Sequence, residues 1–106
     1  MNVRQHVRIA ELFDVYGCLL TQKQADIMRY YYHDDYSLSE IAKLVGISRP
    51  AIHDRLSQAT KKLQTYEEKL GLLSKRQQRR AQLEALKEQC EEPRILERIE
   101  QLLKEE

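Results

Sequence analysis

Arg49, Pro50, His53, Asp54 and Ser57 are spaced to lie on one side of an α-helix, opposite Ile52 and Leu56. Their types suit contact with nucleic acid. The Arg49 guanidinium matches the paired acceptors of guanine, or a phosphate; His53 and Ser57 offer donors to phosphates or base edges. Pro50 offers only an apolar ring. Asp54 repels a phosphate backbone unless it meets cytosine or pairs locally with Arg55 or Gln58; otherwise it marks a surface that prefers protein. Further basic candidates are Lys43, Lys61, Lys62, Lys75, Arg76, Arg79 and Arg80, and no acid interrupts the run from 75 to 80. No nucleophile–base set, phosphate-binding glycine loop or carboxylate pair suggests catalysis. His33, Asp34 and Asp35 are adjacent and so disfavour convergence on one ion; neither metal nor cofactor is expected.

A helix that presents such a face must be held by its other side. The segment Ser37 to Leu63, SLSEIAKLVGISRPAIHDRLSQATKKL, reads as a helix-turn-helix. Ser37 and Glu40 form a capping box, and Leu38, Ile41, Ala42 and Val45 follow as one apolar face. Gly46 suits the left-handed turn, Ile47 plugs it, and Ser48 caps the second helix. Ile52 and Leu56 hold that helix to the first, with Ala42 small enough for close crossing.

The surrounding pattern is helical throughout. Three Gly and two Pro among 106 residues, with abundant Leu, Glu, Gln, Lys and Arg, predict an all-α helical bundle. Helix one covers about residues 5 to 17 through Ile9, Leu12, Phe13, Tyr16 and Leu20. Thr21 and Gln24 cap helix two, which runs to about His33 and buries Gln24, Ile27, Met28, Tyr31 and Tyr32. Tyr30 is then the exposed one of the three consecutive tyrosines, with Tyr36 nearby; core or rim packing is the first expectation for this group, and an aromatic partner surface or base stacking the alternative. Ile52, Leu56, Ala59, Leu63, Tyr66 and Leu70 make a heptad seam along one long helix. From Ser48 to Leu70 that helix spans roughly 34 Å at 1.5 Å per residue. Its distal half needs cover from helix one or from a second subunit.

Residues 1–73 form the predicted helix-turn-helix domain, and 74–106 a C-terminal amphipathic hairpin. Ser74 with Gln77 caps helix five, which carries Leu83, Leu86 and Cys90 on one side. Pro93 opens helix six, with Ile95, Leu96, Ile99, Leu102 and Leu103 on its apolar face. This hairpin cannot bury its stripe alone, so it is expected to dock on the body or pair in a dimer; self-association is expected through Leu63, Tyr66 and Leu70 or through the 83–103 hairpin with Leu83 and Leu86. The net charge of +1 excludes a polycation, so any nucleic-acid affinity is local. No apolar run approaches the roughly 18 residues of a membrane span. Cys18 and Cys90 form no ligand pair; Cys18, followed by two leucines, is expected to be a buried thiol in a reduced, cytoplasmic protein.

The helix-turn-helix segment resembles the fourth region of bacterial sigma factors. A longer stretch, LTQKQADIMRYYYHDDYSLSEIAKLVGISR followed by a long helix ending in YEEKLGL, resembles the YlxM-type family over about residues 7 to 73. The resemblance implies a helical bundle with a sigma-like helix-turn-helix that acts as a DNA-binding regulator. The association of that family with the signal recognition particle implies a role in protein targeting. Against the family pattern, Pro50 stands where a hydrogen-bonding side chain is expected. Duplex DNA bound by a homodimer is the first expectation; the alternative is an adaptor for the GTPases or RNA of the targeting particle. Under the first, Arg49, Pro50, His53, Ser57, Lys61, Arg76, Arg79 and Arg80 face nucleic acid.

Overall fold

The computed structural model describes residues 3–106, which contain six α-helices, one short 3-10 turn and no strand. The helices are α1 (Val3–Tyr16), α2 (Gln22–Tyr32), α3 (Leu38–Val45), α4 (Arg49–Leu70), α5 (Leu72–Gln89) and α6 (Pro93–Glu105). The chain divides into two compact units, Met1–Leu70 and Gly71–Glu106.

In the first unit the helix starts follow local chemistry. The Thr21 hydroxyl accepts from the Gln24 N–H at 3.2 Å while Gln24 Oε1 accepts from the Thr21 N–H at 3.2 Å. The same exchange joins Ser37 and Glu40, both bonds at 3.1 Å. Bonding from the Ser37 backbone, then from its hydroxyl, holds the Glu40 carboxyl below its ordinary pKa. Gly46 ends α3 in the left-handed region at φ 83°, and the N–H groups of Gly46 and Ile47 both donate to the Ala42 carbonyl. Ser48 then caps α4 by accepting from the Ala51 N–H at 3.2 Å.

Helices α1, α2 and α3 all pack on α4. Ile41 and Ile52 are both fully buried where α3 meets α4. Further along, Ala59 and Leu63 are buried, and α1 folds back over this half of the long helix. The buried Tyr16 hydroxyl donates to Glu67 Oε1 at 2.6 Å, with the Tyr66 ring beside it. Helix one thus takes the first of the two covers open to the heptad seam. The seam weakens beyond Leu63: Tyr66 is half-buried and Leu70 is exposed. Gly17 follows α1 because a Cβ there would lie 2.8 Å from the Phe13 ring.

Several expectations are corrected. Cys18 is exposed, because it lies in the 3-10 turn Gly17–Leu19, where the 3.6-residue period no longer decides which side faces inward. Ala25, not Gln24, completes the buried stripe of α2, and Tyr31 is only half-buried. Tyr30 is half-buried, stacked on Tyr36 at 5.7 Å and 12°. Val45 is exposed, since α3 is only eight residues long and seats on α4 chiefly through Ile41.

In the second unit α5 packs against α6. Helix α5 begins at Leu72, with Gly71 at its N-cap in the left-handed region. Ser74 is therefore the third helical residue and not a cap. Glu92, immediately before Pro93, caps α6 by accepting from the N–H groups of Arg94 and Ile95. Leu73, Ile99 and Leu103 are buried, Leu83 is half-buried, and Leu86 and Ile95 are exposed.

Candidate nucleic-acid interface

Seating by Ile41, Ile52 and Leu56 leaves the opposite side of α4 in solvent. Arg49, Pro50, His53 and Asp54 are all exposed in its first turns. With Leu38 they border a shallow cleft of about 280 Å3. A second cleft, of about 470 Å3, continues along α4 past His53, Ser57 and Lys61, with Tyr31 and Tyr32 on its far wall. Leu38 and His53 border both, so the predicted residues from Arg49 to Lys61 form one strip. Thr60 and Gln64 also border it; they alternate with the recognised positions on a four-residue step, a signal present but unused in the sequence reading.

Pro50 sits in the first turn of α4, where its missing N–H has no intrahelical partner to lose. Asp54 lies 3.9 Å from His53 Nδ1, not against Arg55 or Gln58, and the two side chains are 79% and 68% exposed. Such a pair is weak at the surface and charged on both sides only when His53 is protonated. The tyrosine wall is firm: Tyr32 packs edge-on to Tyr31 and against His6, and burial raises its phenol pKa, with Tyr31 adding to the rise and Thr60 opposing it.

The remaining basic candidates divide. Lys62 donates to Gln24 Oε1 at 3.3 Å and so ties α4 to the start of α2. Arg76, Arg79 and Arg80 belong to the second unit. There the Arg79 guanidinium grips both carboxylate oxygens of Glu106, at 2.9 and 3.3 Å. Arg80 donates at 3.3 Å to the Leu103 carbonyl, near the C-terminal end of α6, where that oxygen also accepts the Glu106 N–H at 3.4 Å. The run of cations thus also fastens the hairpin, a role the sequence reading missed.

A capped helix, a left-handed glycine turn and a second helix with a free polar face define a helix-turn-helix protein. Residues 3–104 match the family model UPF0122, "Putative helix-turn-helix protein, YlxM / p13 like". The chain belongs to this family. It is 44% identical over 88 residues to the UPF0122 protein YlxM of Bacillus subtilis strain 168, covering 83% of this chain and 80% of that one. A UPF0122 protein of Thermoanaerobacter sp. strain X514 is 42% identical over 101 residues, 89% of this chain and 86% of the relative. One from Caldanaerobacter subterraneus subsp. tengcongensis is 48% identical over 77 residues, 73% of this chain and 66% of the relative, just under two thirds of that protein's length. Among the described residues no helix is long and apolar enough to cross a membrane.

Proposed function

We propose that the protein is a non-catalytic, DNA-binding regulator that lays the Arg49–Lys61 strip of α4 in the major groove. The observation that carries this reading is the exposure of Arg49, Pro50 and His53 at the start of a helix anchored from behind by Ile52 and Leu56. Arg49 supplies base or phosphate contact, His53 and Ser57 phosphate or base-edge contact, and Lys61 backbone contact further along. Two copies present two such helices, with exposed Leu70 and Leu86 available to a homodimer contact. The proposed tie to the signal recognition particle rests on the family resemblance.

Exposed Asp54 favours a second reading, in which this face meets a protein or structured RNA of the targeting machinery instead of duplex DNA. Titration against pooled genomic duplexes and against the particle's RNA, at two salt concentrations, separates the two. Under the first reading duplex binding is salt-sensitive, a sequence is enriched, and Arg49→Ala costs about 1–3 kcal/mol at one base position. Lys61→Ala then weakens all duplexes alike and lowers the salt slope by about one. Absence of duplex binding at low salt overturns the regulator.

A further inference from the structure

Helix α4 has a second flank. Arg55 lies about 200° around the helix from His53, on the side away from the strip. There Ile27 and Tyr30 of α2, Leu44 and Val45 of α3, Ile47 of the turn and Arg55 line a groove of about 400 Å3. Leu44 is 57% exposed and Val45 39%. Only Ile41 of α3 is fully buried, so this short helix carries a second apolar edge that the fold of the first unit does not cover. The edge is a contiguous patch next to aromatic and aliphatic side chains, not a scattered leucine.

The groove is preformed. Tyr30 is stacked on Tyr36, and the Tyr36 N–H donates to the Tyr30 carbonyl at 3.0 Å, which stiffens that wall. Gly46 fixes the turn that places Val45 and Ile47. Its rim is electrostatically one-sided. Asp26 is occupied by Arg29 at 3.1 Å and by Gln22 at 2.8 Å, whereas Lys23 and Arg55 have no carboxylate partner among the described residues. An apolar floor between helices, edged by uncommitted cations, matches a helix with aliphatic side chains on one face and acids beside them.

We propose that this groove is a docking site for an acidic amphipathic helix of a partner protein, on the opposite flank of α4 from the nucleic-acid strip. Leucine-type side chains at i, i+3 and i+4 of the partner fill the floor formed by Leu44, Val45, Ile47 and Tyr30. Its flanking Asp or Glu residues pair with Lys23 and Arg55. The site stands apart from the DNA-binding proposal, since it uses none of the residues Arg49, His53, Ser57 or Lys61.

The test is selection of a phage-displayed library of 16-residue helices, randomised at surface positions, on the full chain. Enriched helices are expected to combine an apolar i, i+3, i+4 stripe with flanking acids. They should lose at least ten-fold in affinity for Leu44→Asp and for Lys23→Glu, and their binding should be unaffected by Arg49→Ala. Leu44 is exposed, so its replacement leaves the core intact, and circular dichroism of each variant verifies that. No enrichment, helices enriched without acids, or binding indifferent to Leu44→Asp would overturn the proposal. Loss of binding on Arg49→Ala instead would assign the helices to the other flank and overturn it equally.

Discussion

The two units are built from the same helical material and stabilised differently. Among the described residues the first unit buries fourteen apolar side chains, and the second buries three, Leu73, Ile99 and Leu103. The first has helices crossing on a shared long axis, α4, so each added helix covers another part of one core. The second is a hairpin in a segment below the roughly 40 residues at which single domains usually need outside support. It is fastened by groups on its surface: Arg79 with Glu106, Arg80 with Leu103, and Lys87 with Glu100 at 3.6 Å. A closed core holds the candidate interface still, while the hairpin retains unspent apolar surface at Leu86 and Ile95.

This contrast is open to direct attack. The largest effect is expected from Leu63→Ala, which empties a fully buried position and should cost about 2–5 kcal/mol in urea unfolding. Next, Ser37→Ala removes the cap of α3 and should cost about 1 kcal/mol. Glu40 adds a pH signature to that cap. Its folded pKa lies below its unfolded value, so its contribution is complete above the ordinary carboxylate range and is lost as pH falls through the folded pKa. At concentrations where the chain is monomeric, Leu86→Ala should change stability by no more than about 0.5 kcal/mol, because the residue is 53% exposed in the single chain. A loss as large as that of Leu63→Ala, together with a smaller sedimenting species, would mean that a second copy covers the hairpin.

The smallest effect belongs to Glu106→Gln. The Arg79 guanidinium, aided by the nearby charges of Arg76 and Arg80, holds the Glu106 carboxyl below its ordinary pKa. The clasp is therefore present at neutral pH and lost on acidification through that lowered pKa. Helicity of the wild-type hairpin should fall over that acid limb, and the variant should lack the limb. An identical acid profile in both proteins would remove the clasp from the account of the second unit.

What was legible in the sequence was mostly local. The boxes at Thr21 and Ser37, the turn at Gly46 and the exposure of Arg49, His53 and Asp54 each depend on residues within one or two turns of one another. The Ser74 box failed for an equally local reason. A serine followed by glutamine three residues on occurs inside helices as well as at their starts, and Gly71 in the left-handed region let α5 begin earlier. Glu92 was overlooked beside Pro93, although the residue before an N1 proline is the place to seek a cap. The groove at Leu44 and Arg55 was invisible because three helices and a turn contribute to it, and no single periodicity contains them. The pairing of Tyr30 with Tyr36 crosses a loop whose backbone turns through Asp35 at φ 57°, which side-chain spacing does not encode.

The bond from Tyr16 to Glu67 closes a stretch of 51 residues. During synthesis at about 5–20 residues per second, roughly 3–10 s pass between the emergence of one partner and the other. The helix made first can pack on α2 early, but its seat on the far half of α4 is completed only after that interval. Until residue 67 appears, the end of α1 lacks the far half of the long helix on which it lies in the finished unit.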